Sequence, residues 1–472
     1  MDNDPGLENE RLQAENATLR QRVAELQQQV AKLEKRVAEL QQRVSELETA
    51  LSEAKRQATP FARRKRVREP KRAGRKKGQG RFSYRHKPAP EEVSETKRAP
   101  LACCPQCGGE LVKRKEHEQF VVDIPQIKPV VVCYVTESGY CPHCRKRVRS
   151  RHPEQISQAT GAAGVVVGPR AKSLAADMKH RLGVSYGKVC AWLDDAFGLQ
   201  VTRGGWCQAD RRLAEQARPV YEELVDTLRA SSVVHADETG WRIGTLAAWL
   251  WVFTNRETTV YTIRASRGHE VVIEILGREF AGVLNSDCFR AYDAQALSSW
   301  LKQKCVGHLL RNLREMEEKK AGGAVRFARE VTALLREGLE LKAAKPQLPP
   351  ETFAERAAVL EQRLDRLIDE RRCFSDADNA RFAKRLRKHR EHLLRFLYVD
   401  ELEATNNQAE RQLRPAVITR KTNGCNRTDG GAEAHAILSS VLATCRQRNV
   451  PVLDFLTALQ RAVRQPPALA PP

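Results

Sequence analysis

The sequence predicts a mixed α/β, multidomain chain, and three features predict it. A leucine and valine heptad repeat opens the chain, two Cys-x-x-Cys pairs follow, and four short β-rich segments gather around a helical stretch near the middle of the 472 residues. These regions differ sharply in composition, and the length is ample for more than one core.

Bulk composition narrows the field. The chain carries 81 Lys and Arg against 59 Asp and Glu, a formal net charge of +22, which favours an acidic polymer as partner. It contains no apolar run of about 18 residues, so no membrane span and no membrane partner are expected. The polar N-terminus lacks a signal-peptide core, so the expected location is the cytosol. There the 13 cysteines read as thiols or metal ligands rather than disulfides.

The heptad repeat defines a first domain, residues 1–54. Leu12, Leu19, Leu26, Leu33, Leu40 and Leu47 occupy d positions, and Asn16, Val23, Val30, Val37, Val44 and Leu51 occupy a positions. Valine at a with leucine at d favours a parallel dimeric zipper, and a polar Asn16 at a fixes its register. A homodimer or a higher oligomer is therefore expected.

Residues 55–100 form a basic arm. Residues 55–87 hold 15 Lys and Arg and a single acid, Glu69, and Pro60, Pro70, Gly74, Gly78 and Gly80 break any helix. Arg75, Lys76 and Lys77 are expected to contact DNA phosphates, where each neutralised charge releases counterions. A solvated linker is the alternative.

Residues 101–152 read as a zinc ribbon. Cys104 and Cys107, then Cys141 and Cys144, form two knuckles 33 residues apart, and four thiolates complete a tetrahedral structural Zn2+ site. Residues 121–124 and 130–135 alternate enough to be its strands; Cys103 and His143 are spare donors. Residues 153–230 are helical, with apolar spacing over 171–182, 186–197 and 206–228 and glycines at 183, 204 and 205. A DNA-binding helix-turn-helix and a plain bundle fit this stretch equally.

From residue 231 the pattern turns to strands at 232–237, 249–254, 259–264 and 282–287, with a helix at 269–276 before the fourth. Three strands, a helix and a fourth strand match the order of a ribonuclease-H-like sheet. Asp237 ends the first strand and Asp287 the fourth, so both carboxylates are expected at one sheet edge. Phosphodiester transfer uses such a grouping, because two hard divalent ions there stabilise charge on attacking and leaving oxygens. Taken singly, each Asp is more ordinarily a turn or cap residue.

The surrounding motifs resolve that ambiguity. HADETGWRI (235–243), NSDCFRAYD (285–293), CVGHLLRNL (305–313) and NNQAERQLRPAVITRK (406–421) resemble the insertion sequence 66 family of bacterial transposases. The zipper, PKRAGRKKG (70–78), CPQCGGEL (104–111) and GAEAHAILSSVLATCRQRN (431–449) follow the same layout. The resemblance implies a DDE-type DNA transposase, a polynucleotidyl transferase with Asp237, Asp287 and Glu410 as its triad and Mg2+ or Mn2+ as cofactor. It also implies double-stranded DNA, both element ends and target, as substrate, with accessory proteins of the same element as further candidate partners. Arg411, Arg414, Arg420 and Lys421 follow the third acid and read as contacts to end phosphates, with a solvated basic face as the alternative.

The catalytic domain is expected over 231–450. The 122 residues between Asp287 and Glu410 exceed any loop, so 300–398 is assigned as a helical insertion; 451–472 is a C-terminal helix and tail. Trp241, Tyr292 and His308 read as core or supporting residues, and Asn406 or Asn407 as caps for the helix of Glu410. The chain departs from the family pattern at Thr405 (usually Asp), at Cys288 (usually Gly) and in TNGCNRTDGG after Lys421. A non-catalytic zipper and zinc regulator, and a nuclease on the same fold, are the competing readings.

Overall fold

The unbroken apolar run at 246–253, LAAWLWVF, needs a strand covered on both faces. The structure, a computed structural model, describes residues 21–34, 36–44, 47, 86–113, 115–462 and 467–469. The chain divides into two compact units, Met1–Glu92 and Val93–Pro472.

In the first unit, residues 21–34 and 36–44 are helical, as the heptads predict. On this single helix the seam residues Val23, Leu26, Val30, Leu33, Val37 and Leu40 are each more than half exposed. The first heptads, with Leu12, Asn16 and Leu19, and the basic arm, with Arg75, Lys76 and Lys77, lie outside the described residues.

The second unit begins with the cysteine knuckles. Strands β1 (Ser138–Cys141) and β2 (Lys146–Arg149) pair antiparallel, with Cys141 opposite Lys146, so the second knuckle sits in the hairpin turn. The strands expected at 121–124 and 130–135 are absent. Val121, Val122, Ile124, Val130, Val131 and Val135 are 80–92% exposed in extended chain. Alternating β-branched residues form a strand only where a second strand receives them, and none does here.

Three helices follow: α1 (Pro169–Ala176), continued by a π-helical turn at Asp177–Arg181, α2 (Tyr186–Phe197) and α3 (Arg203–Arg229). Ser185 caps α2 by accepting from Lys188 N, and Gly198 ends it at φ 67°. Val189, Leu193 and Trp206 pack with Ala175 and Met178 in a small core of their own. The later turns of α3, through Leu224 and Leu228, pack into the main core under the sheet.

The sheet has five strands in the order β5–β4–β3–β6–β7. Strands β3 (Val233–Ile243), β4 (Leu246–Thr254) and β5 (Thr259–Arg264) form an antiparallel meander; helix α4 (His269–Leu276) then leads to β6 (Val283–Ser286), parallel to β3. Strand β7 (Leu301–Lys304) adds a parallel edge that the hydrophobic pattern hides, because its sequence is LKQK. The helical insertion therefore begins after β7, not at residue 300. It comprises α5 (Val306–Lys319), α6 (Arg326–Ala344), α7 (Pro350–Ile368) and α8 (Ala377–Lys388), whose core reaches Val233 and Val283 of the sheet.

The chain returns through α9 (Asn407–Asn423), α10 (Asp429–Gln447) and α11 (Val452–Arg461). One face of the sheet packs Val234, Ala236, Trp251 and Phe253 against α3 and α4. The other packs Leu250, Val252 and Ile263 against Ala409, Leu413 and Ala416 of α9. Each large apolar side chain so buried contributes roughly 1.5–3 kcal/mol, enough in sum to tolerate the buried charges described below. Among the described residues no helix is long and apolar enough to cross a membrane.

Candidate active site

Side chains alternate along β3, so Asp237, opposite Val252, falls on the α9 face and Glu238, opposite Trp251, on the other. Strands β3 and β6 run parallel with Val233 beside Val283 and His235 beside Asn285. Asp237 does not end its strand as expected: β3 runs on to Ile243 beside β4, whereas β6 stops at Ser286, so Asp287 follows directly on the strand end and its charge acts on Asp237. Glu410 comes to them from the first turn of α9.

That approach is held by side-chain to backbone bonds. Asn285 Nδ2 donates to the carbonyls of Glu403, at 2.7 Å, and Thr405, at 3.2 Å. Asn406 Nδ2 donates to Ala236 O at 2.7 Å, and its Oδ1 lies 3.3 Å from His235 Nδ1. Asn406 is the N-cap residue but makes no side-chain cap; its amide is spent on β3 instead. Its backbone N–H donates to Cys305 Sγ at 3.1 Å, and Val306 N donates to Ala404 O at 2.9 Å. Burial drives the His235 imidazole down to about 4, so it stays neutral within this clamp.

Electrostatically the cluster is unbalanced. Burial, reinforced by Glu238, Asp287 and Glu410, pushes the Asp237 carboxyl up to about 8. One oxygen of Asp237 accepts from Glu238 N at 2.9 Å, and one of Asp287 from Phe289 N at 2.8 Å. Asp237 thus feels the charges of both Asp287 and Glu410, and carboxylate oxygens are the donors that hard divalent cations take.

Three supporting residues escaped the sequence reading. Glu238 is buried, also raised chiefly by burial, and accepts from Tyr292 Oη at 2.7 Å and from Arg267 at 2.8 and 3.0 Å. The Arg267 guanidinium lies between the rings of Trp249, at 4.2 Å, and Phe289, at 3.8 Å. Lys304, fully buried, reaches Asp287 O at 3.1 Å and Asp293 at 2.8 Å. Tyr292 is a core residue holding Glu238, and Trp241, also buried, donates to Asn426 Oδ1 at 2.9 Å. The one signal for this shell was the charge and aromatic density of HADETGW and NSDCFRAYD.

The basic residues after the third acid divide. Arg420 is turned inward, donating to Thr239 Oγ1 at 2.9 Å and to Gly240 O. Arg411, Arg414 and Lys421 are exposed on α9, with Arg411 Nε donating to Asn407 O at 3.2 Å. The cysteine pairs each form a knuckle: Cys104 N donates to Gly109 O and Gly108 N to Cys104 O. Backbone N–H groups hold the Cys104 and Cys141 thiols below their ordinary value, the state a metal selects. The four sulfurs do not converge within 4.8 Å. Among the described residues, the donor atoms that do are those of Cys305, His308 and Glu410.

Comparison with known proteins fits this architecture. The mixed sheet and its helices are consistent with a transposase domain, and residues 164–434 match the Transposase IS66 family. The chain belongs to that family. An uncharacterized protein, y4qI, from Sinorhizobium fredii (strain NBRC 101917 / NGR234) is 25% identical over 302 residues, 57% of this chain and 54% of the relative. The chain thus spans about half the length of the curated relative it matches.

Proposed function

We propose that the chain is a DDE-type transposase that cuts DNA at the ends of an insertion sequence and joins the freed 3′ ends to target DNA. The observation that supports this reading is that Asp237, on β3 beside β6, feels the charges of both Asp287 and Glu410, with Asn406 at the start of the Glu410 helix bonded to Ala236 O. Asp237, Asp287 and Glu410 would hold magnesium, or manganese, and the ions supply charge stabilisation at the attacking and leaving oxygens. The chain's own task is to fix the three carboxylates and keep bulk water out. Lys304 and Asn406 hold the backbones of Asp287 and Ala236, and Glu238, Tyr292 and Arg267 wall the far side of the sheet.

The rest of the chain serves DNA. Exposed Arg411, Arg414 and Lys421, with the arm at Arg75, Lys76 and Lys77, are positioned in sequence to neutralise phosphates of double-stranded DNA. Arg420 braces β3 in this structure and would reach DNA only by leaving it. The heptads would pair two copies. Zn2+ at Cys104, Cys107, Cys141 and Cys144 would draw the two knuckles into one closed structural site.

A strand-transfer assay tests this reading, using purified protein, magnesium, the element's end DNA and a supercoiled target, with Asp287→Asn in parallel. The expected result is magnesium-dependent joining that the variant loses while still binding ends. Cleavage without joining would favour a nuclease on the same fold, and binding without chemistry a regulator.

A further inference from the structure

The residues Cys305-Val-Gly-His308 place a thiol at the N-cap of α5 and an imidazole three residues later, on the same side of the first turn. Both face Glu410. His308 Nδ1 lies 3.7 Å from Glu410 Oε1, and the sulfur, the imidazole nitrogen and the carboxylate oxygen all lie within 4.8 Å of one another. His308 Nδ1 is itself buried and makes no hydrogen bond, so a ligating atom faces the Glu410 carboxylate without bonding to it.

The donor set is not that of the triad. Magnesium takes oxygen ligands in octahedral geometry and leaves thiols alone. Sulfur, nitrogen and carboxylate oxygen together suit zinc, which binds them tetrahedrally at about 2.0–2.3 Å. Donors at those lengths stand roughly 3.3–3.8 Å apart by tetrahedral geometry, so this trio needs only a small contraction. The sulfur is held in place by the N–H of Asn406 at 3.1 Å, the kind of outer support that orients a sulfur ligand.

We propose that Cys305, His308 and Glu410 form a second cation site, for a thiophilic divalent ion of the zinc class, and that filling it disables the enzyme by withdrawing Glu410 from Asp237 and Asp287. The binding part stands on the donors alone; the inhibitory part rests on Glu410 being the third acid of the triad. Zinc and magnesium then compete for one carboxylate, and a rise in free zinc stops DNA cutting without changing end binding.

The test uses the full chain, first given one equivalent of zinc for the knuckles, and then cobalt(II) alone as an optical probe. The wild-type chain, Cys305→Ser and His308→Asn are titrated side by side, with thermal melts to show that each is folded. Wild type is expected to bind an additional cobalt with a thiolate charge-transfer band. Cys305→Ser should lack that band. His308→Asn should bind at least about tenfold more weakly, since loss of even an outer-shell partner costs that much. His308, partly exposed, supplies the variant should Cys305→Ser not fold.

In a second arm, zinc is added to magnesium-driven end cleavage, each chain normalised to its own zinc-free rate. The zinc concentration for half-inhibition should rise at least about tenfold in His308→Asn. Identical cobalt spectra in wild type and Cys305→Ser overturn the site. A Cys305-dependent band with an unshifted inhibition curve overturns the switch. Wild-type protein that never cleaves DNA with magnesium counts against the triad reading alone, and the cobalt arm still decides the site.

Discussion

Lys304 Nζ donates to the backbone carbonyl of Asp287 at 3.1 Å from inside the protein, with no exposed surface of its own. Its charge is balanced by Asp293, which also meets Lys388 at 3.2 Å and His389 at 3.6 Å. The lysine therefore ties the strand end of β6 to the loop after it and to the last turn of α8. Replacing it by Met strips one partner from a buried ion pair, a loss that typically costs about 3–5 kcal/mol, here softened by Lys388, the remaining cation on Asp293. The expected outcome for Lys304→Met is a lowered melting temperature and a weaker apparent affinity for magnesium in cleavage. An unchanged magnesium dependence in a folded variant would show that Asp287 is held without the lysine.

Asn406 is the corresponding tie for Glu410. Asn406→Ala would leave the Ala236 carbonyl buried and unpaired, a penalty of about 1–3 kcal/mol. It would also free the entry to α9, and a shift of about 1 Å in a reacting group can cost about 100-fold in rate. Single-turnover cleavage should fall by about that factor while end binding, measured by gel shift, stays within about twofold. Equal losses in both would mean that Asn406 supports the fold at large.

Much of this arrangement was legible beforehand, and the parts that were not share a cause. The order of strands and the helix His269–Leu276 follow from local apolar periodicity, which records burial directly, but the polar residues after Asp237 hid that β3 runs on to Ile243. Strand β7 was hidden because Lys302, Gln303 and Lys304 are buried through partners distant in sequence, Asp293 and Leu393 O among them. Asn406 read as a helix cap, which its position permits; only the nearness of β3 redirects its amide. The supposed ribbon strands failed for the converse reason: residues 121–135 have strand composition and no strand to join.

The pH response of the metal-free chain follows from Asp237. Its carboxyl is held up at about 8 by burial first and by Glu238, Asp287 and Glu410 after that, whereas the unfolded chain ionises near 3.8. The folded state thus keeps a proton that the unfolded state releases. This stabilising contribution is complete below about pH 4 and is lost as pH rises towards about 8. Without divalent metal, Asp237→Asn should melt higher than the parent at about pH 8, and the difference should shrink towards about pH 5. Magnesium should release a proton on binding below about pH 8 and restore the parent's stability, but not the variant's. A difference in melting temperature that is flat with pH would refute the assignment.

The heptad helix supplies the last test. Its seam is a stripe of valine and leucine more than half exposed on a single chain, including Leu33 at 65% and Leu40 at 54%. A solvated helix of this length gains little from leaving such a stripe in water, whereas pairing two copies buries both. Each leucine so buried contributes about 1.5–3 kcal/mol. Leu33→Lys with Leu40→Lys removes two leucines from each chain of a parallel dimer and sets like charges against each other across the seam. Sedimentation at micromolar protein should then show monomer where the parent is dimeric. Because the changes lie far in sequence from the carboxylates, single-end binding should persist while joining of paired ends is lost. A variant that still sediments as a dimer would place the self-association in another part of the chain.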